Sequence, residues 1–247
     1  MEGEFHAASS IDNLVPSFVP RPAGWGQYET EYGTMYFLLG DFHDMEFDEP
    51  PDPERFISMV VELHQKGASP NGMFGNPVAT VSGRLERTVK WEKSWAVLFA
   101  YQFEDVVRYD QEANGFEPKF NAVCKQVIDI VIPRLLGAMQ SDGREITPTL
   151  IHGDLWENNV GIEKGTGRII AFDPGSTYSH NEMELGSWNC WWSTWLGNPV
   201  YKQLYEQHIK PSEPKEEQED RLLLYRIRGY LNDLAGHPGS KGPSRKM

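Results

Sequence analysis

Three side chains in one stretch of the sequence have types and spacing that suit chemistry. Ile151-His-Gly-Asp-Leu-Trp-Glu-Asn-Asn-Val160 carries Asp154 and Asn159 five residues apart, and Ile169-Ile-Ala-Phe-Asp-Pro174 carries Asp173 fourteen residues further on. Phosphoryl transfer needs this set. One carboxylate accepts the proton of an attacking hydroxyl, while an amide oxygen and a second carboxylate give magnesium the hard oxygen ligands it takes when it bridges nucleotide phosphates. Taken singly, each residue is an ordinary solvated loop or turn position. The three in this order, framed by strand, loop, hairpin and strand, point to kinase-like chemistry.

Such a set works only if the chain folds back on itself. Leu150-Ile151, Val160-Gly-Ile162 and Arg168-Ile-Ile-Ala-Phe172 have strand chemistry, and Lys164-Gly-Thr-Gly167 is a hairpin turn that returns Asp173 to Asn159. Helices are predicted over 1–13, 53–66 (Phe56, Met59, Val60 and Leu63 inward), 93–112, 117–140, 185–196, near 200–209, and 219–235. In 117–140 the inward residues are expected to be Phe120, Val123, Val127, Ile130 and Val131. Residues 15–26, with three prolines and two glycines, read as an extended connector, 34–40 as a strand, and 67–92 as a long loop or short hairpin. The run 212–220 reads as a solvated acidic connector.

Composition narrows the setting. Lys and Arg number 23 against 36 Asp and Glu, a net charge of −13, which argues against nucleic acid and an anionic membrane as partners. No apolar run reaches the ~18 residues of a membrane span, and MEGEFHAASS lacks the features of a signal peptide. Two cysteines, Cys124 and Cys190, are too few for a disulfide scaffold and read as buried thiols. A cytoplasmic protein is expected.

With these residues in view, HGDLW-x-x-N, FDP and Tyr178-Ser-His-Asn-Glu-Met-Glu-Leu185 resemble the fructosamine/ketosamine kinase family. EGEF (2–5), VPRP (19–22) and Arg221-Leu-Leu-Leu-Tyr225 with Tyr230-Leu-Asn232 extend the resemblance over nearly the whole chain. It implies an α+β, protein-kinase-like (aminoglycoside phosphotransferase-like) fold with a mostly helical C-lobe. It also implies ATP and Mg2+ as cofactors, and phosphorylation of the O3 hydroxyl of ketosamines on glycated proteins or small molecules, a deglycation repair activity. Asp154 is then the base, and Asn159 and Asp173 the metal ligands. Other small-molecule hydroxyl kinases of the aminoglycoside or choline type, and a non-catalytic kinase-like binding protein, are the alternatives. Trp156 and the Asp173-Pro174 pair favour the ketosamine branch.

The resemblance further implies an N-lobe whose covering loop and strand lysine contact the nucleotide, the lysine pairing with a helix glutamate, here Glu4. This sequence opens at that helix and its first lysine is Lys66, so a truncated N-lobe with impaired nucleotide binding is expected. Residues 1–46 would be the remnant N-lobe and hinge, 47–236 the catalytic lobe, and 237–247 a disordered tail. Leu39, Asp41, Phe42 and His43 would form the adenine-binding hinge, which without the resemblance reads as an edge strand and turn. Glu182 and Glu184 would orient the catalytic segment or a cationic substrate, or else begin a helix as solvated acids. Trp188, Trp191, Trp192 and Trp195 recur at helical spacing and read first as a core stripe, less readily as a sugar-pocket wall. Trp91 and Trp95 are the better candidates for touching substrate, together with Trp156. His64 and His180 read as structural hydrogen-bonders, with no His/Cys cluster for zinc.

Overall fold

A computed structural model describes residues 1–83 and 85–239. Helix α1 (Glu2–Leu14) buries Ala7, Ala8 and Ile11. It leads into a hairpin of β1 (Pro22–Thr30) and β2 (Gly33–Gly40), so the expected connector becomes strand from Pro22 onward. Gly24 and Gly26 look like breakers in sequence, but Gly26 lies opposite Phe37, whose ring occupies the space a Cβ would take. Much of the hairpin faces solvent, including Tyr28, Met35, Tyr36, Phe37 and Leu39, so no buried face imposes an alternating pattern.

Strand β3 (Met45–Glu46) joins a small sheet described below, and α2 (Pro53–Lys66) begins where its sequence says it should. Asp52 accepts from the Arg55 N–H at 2.9 Å, Pro53 opens the first turn, and Phe56, Val60 and Leu63 face the core. The segment 67–92 contains four two-residue strands: β4 (Phe74–Gly75), β5 (Val81–Ser82), β6 (Leu85–Glu86) and β7 (Trp91–Glu92). Ser94 caps α3 (Trp95–Asn114). Next, α4 (Pro118–Gln126) runs through a π-helical turn at 127–131 into α5 (Ile132–Gly137). The wider turn rotates the face, so Val123, Ile130 and Val131 are exposed, contrary to expectation. Cys124, Ile132, Leu135 and Leu136 are buried instead, and Phe120 and Val127 pack at the core margin.

Strands β8 (Thr149–Ile151), β9 (Val160–Glu163), β10 (Ile169–Ala171) and β11 (Thr177–Ser179) complete two antiparallel sheets. One runs β7-β4-β11-β8 and the other β10-β9-β3. The remaining helices are α6 (Glu182–Gly186), α7 (Pro199–His208) and α8 (Gln218–Gly236), the last packed on α3 and α6. Helix α8 takes in only 218–220 of the expected acidic connector, and 215–217 form a 3-10 turn before it. The expected helix over 185–196 does not form: after α6 a 3-10 turn at 187–189 gives way to turns. Only Trp188 of the four tryptophans is core, while Trp191 is exposed and Trp192 and Trp195 are half-buried.

Trp95 and Trp188 are fully buried among Phe56, Phe99, Phe103, Tyr205 and Tyr225. His64 bonds the Tyr205 hydroxyl, and His180 bonds those of Tyr225 and Ser212, the structural roles expected of both. Of the expected tail, 237–239 is tied down, with the Gly239 N–H donating to Asn114 at 3.2 Å. Positions 240–247 lie outside the described residues.

Candidate active site

The loop after β8 is fixed from two sides. Strand β11 pairs with β8 through Thr177↔Ile151, Tyr178↔Leu150 and Ser179↔Thr149, delivering His152 and Gly153 to a fixed point. There the Glu184 carboxylate accepts the N–H groups of His152 at 2.5 Å and Gly153 at 3.0 Å. On the opposite side the Arg87 guanidinium donates to the Gly153 carbonyl at 2.7 Å. Gly153 has φ 79°, and a Cβ there would meet the Gly175 carbonyl, so glycine is required.

Asp154 follows directly. The Asn159 amide N–H donates to the Asp154 carbonyl at 2.9 Å and to its carboxylate at 3.1 Å, leaving the amide oxygen for another partner. The β9–β10 hairpin brings Phe172 back, its N–H donating to the Asn159 carbonyl at 3.0 Å, and Asp173 comes next with φ 54°. Burial pushes the Asp154 carboxyl up to about 6; Arg87 and the Asn159 bond oppose this, and Glu184 and Asp173 add to it. Burial lowers His152 to about 4. Burial and then the Asp173 charge raise Glu4, so the α1 glutamate also borders this site.

Beside Asp154 opens a cavity of about 570 Å³. Trp156, Trp191 and Trp192 contribute aromatic wall, and Glu184, Arg228 and Asn232 contribute polar groups. Glu157 explains how the non-helical tryptophan segment is positioned: its carboxylate accepts the N–H groups of Thr194, Trp195 and Leu196. Of the three, only Asp154 borders this cavity; Asn159 and Asp173 do not line it.

Several expected substrate residues have other work. Trp95 is 0% exposed and donates to the Tyr225 hydroxyl at 2.9 Å, so it is core. Trp91 stacks near Tyr178 with ring centroids 5.8 Å apart and does not line the cavity. Glu182 is buried in an ion pair with Arg221 at 2.7 Å, which removes it from both the substrate and the solvated-acid readings. Glu184 is no solvated acid either: it is buried, holds the N–H groups of His152 and Gly153, and also borders the cavity. Around the expected hinge, Leu39 pairs in the hairpin, the Asp41 N–H is taken by the Arg21 carbonyl, Phe42 is exposed, and His43 bonds Glu163 at 2.7 Å.

Sequence reasoning missed Arg87 and Arg228. Arg87 comes from a segment with no period. Arg228 leaves a signal, because it interrupts the stripe Leu224, Tyr225, Leu231 and Leu234 on α8. A cation on a buried helical face needs a reason to be there.

The residues present suit magnesium. A free amide oxygen on Asn159 and an exposed Asp173 carboxylate are hard donors, and Mg2+ is commonly held by one or two such groups plus substrate phosphates.

The architecture is that of a protein-kinase-like fold. It matches a solved structure described as a candidate fructosamine-3-kinase from Thermobifida fusca, with TM-score 0.70 and 22% identity, covering 100% of this chain and 77% of that one. A thermostable mutant of an aminoglycoside phosphotransferase matches with TM-score 0.56 and 17% identity over 94% of this chain and 75% of that one. The fructosamine kinase family model matches residues 1–241, and the chain belongs to that family. The ketosamine-3-kinase of Mus musculus is 33% identical over 165 residues, covering 64% of this chain and 47% of its own length. The chain spans about half the length of the first curated relatives it matches. No described helix is long and apolar enough to cross a membrane.

Proposed function

We propose that this chain phosphorylates the O3 hydroxyl of ketosamines, fructosamine or ribulosamine, with ATP and Mg2+. The observation that carries the reading is Asp154 joined to Asn159 at one edge of an aromatic-walled cavity, with Asp173 returned beside them by the β9–β10 hairpin. Asp154 accepts the hydroxyl proton, and at about 6 its carboxyl is ionised at neutral pH while remaining a competent base. Asn159 and Asp173 would hold magnesium, which when bound neutralises phosphate charge. Arg87 and Glu184 keep the loop in place, and the tryptophans pack against the sugar. Residues 1–46 act as the N-lobe side and hinge, with Leu39, Asp41, Phe42 and His43 along the adenine and Glu4 at the phosphate side. Substrates are glycated proteins or small ketosamines, and two unpaired thiols, Cys124 and Cys190, suit a cytoplasmic setting.

The test is incubation with Mg·ATP and a panel of fructosamines, ribulosamines and aminoglycosides, with phosphate transfer followed by phosphorus NMR. Transfer to O3 of a ketosamine is expected. Transfer only to aminoglycosides, or none to any ketosamine, overturns the reading.

A further inference from the structure

Helix α8 carries two buried arginines seven residues apart, and they are treated very differently. Every nitrogen of Arg221 has a partner: Glu182 accepts from its Nε and one Nη, that Nη also donates to the Ser212 carbonyl, and the other Nη donates to the Pro214 carbonyl. That is how a structural buried guanidinium is satisfied. Arg228 is 7% exposed and lines the cavity beside Asp154, yet its guanidinium makes no hydrogen bond or ion pair with any described residue.

Its charged surroundings do not make up the deficit. The groups that act on it are the Arg87 cation and the carboxylates of Asp105 and Asp154. Asp105 is committed to the Thr88 N–H and hydroxyl and to Arg108. Asp154 is committed to Asn159. Arg87 itself is a second buried cation, engaged with Gly153 and Thr80. Burial and then repulsion from Arg87 push Arg228 down to about 9. An unpartnered buried cation next to another is costly, and the wall of a cavity is where an arriving oxyanion would relieve that cost. The planar fork of arginine matches carboxylate and phosphate oxygens.

We propose that Arg228 binds an anionic group, carboxylate or phosphate, carried by the ketosamine itself, so that this chain selects small acidic ketosamines over neutral ones. The proposal rests on the ketosamine kinase reading for the identity of the ligand. Two sources supply the same chemistry: the carboxylate of an amino acid glycated on its α-amine, and a phosphate on O6 of the sugar. Bond for bond, the two are equally remote from O3, so either reaches a cation near Asp154. Trp156, Trp191 and Trp192 would cover the sugar between them.

The experiment is isothermal titration, without nucleotide, of the full chain and of Arg228→Gln and Arg228→Lys. Three probes are used: a fructosyl amino acid with a free carboxylate, its neutral amide, and a neutral-amine fructosamine 6-phosphate. At least one anionic probe should bind the parent roughly ten- to a hundredfold more tightly than the amide, the range for a hydrogen bond to a charged group. Arg228→Gln should erase that preference and Arg228→Lys restore part of it. Whichever probe is preferred identifies the source. Equal binding of anionic and neutral probes by the parent overturns the proposal, whatever the variants do, as does failure of every anionic probe to bind. An unchanged preference in a folded Arg228→Gln overturns it too. Phosphate transfer is assayed separately, so preference without transfer retains the anion site and removes the kinase reading, and transfer without preference does the reverse.

Discussion

Opposing electrostatic influences meet at Asp154. Burial holds its carboxyl near 6, and Arg87 and Asn159 keep it from rising further. If Asp154 is the base, kcat/KM should increase with pH through about 6 and level off above, because only the ionised form takes the proton. Asp154→Asn should lower turnover by about 10²–10⁴ while nucleotide affinity, measured by titration, changes little. Arg87→Gln removes a cation that favours the ionised form, so the inflection should move above its parent value; a pH–rate profile that does not move would show that Arg87 acts only as a scaffold. The sequence displayed Asp154, Asn159 and Asp173 because two adjacent loops and one hairpin carry all three. Arg87 was illegible as a site residue because it comes from an aperiodic, remote segment, whereas Arg228 showed only as a cation on the apolar face of α8, far in sequence from the loop it faces.

Among the elements, short α6 bears more than its length suggests. Glu184 holds the loop that carries Asp154, and Glu182, two residues before it, ties α6 to α8 through Arg221. Arg221→Met should leave Glu182 buried without its cation and cost about 3–5 kcal/mol in denaturant unfolding, while adding Glu182→Gln should recover part of the loss. A loss under about 1 kcal/mol, the worth of a surface pair, would show that α6 and α8 are joined by packing alone. Helices α2, α3 and α8 were readable because each buries a continuous stripe against the core. The tryptophan segment was misread for the same reason: its spacing is helical, but Glu157 collects the N–H groups of Thr194, Trp195 and Leu196 that a continuing helix would have used internally. Strand β1 escaped because its hairpin is largely exposed, and an exposed hairpin needs no face.

At the scale of the whole molecule, the buried titratable groups make stability a function of pH, with two contributions of opposite sign. His152 and His180 are fully enclosed and lowered to about 4 by burial, so between about 6 and 4 the unfolded chain takes up two protons that the folded chain refuses. Their contribution is complete above the unfolded histidine value, ~6.5, and is lost as pH falls toward 4. Asp154 works the other way: raised to about 6, it is protonated in the folded chain and ionised in the unfolded one, so acid favours folding through this group. Across these three groups the net is 2 − 1 = 1 proton taken up on unfolding. Together they should lower the unfolding free energy by roughly 1.4 kcal/mol per unit as pH falls from about 6 to about 5. The Asp154→Asn variant lacks the opposing group, and its slope in the same window should approach twice that, roughly 2.7 kcal/mol per unit. Urea titrations of both proteins at half-unit intervals measure the two slopes directly. A variant slope equal to or shallower than the parent's would mean that Asp154 titrates alike in folded and unfolded chains, and it would remove the physical basis for an inflection near 6 in the rate profile as well.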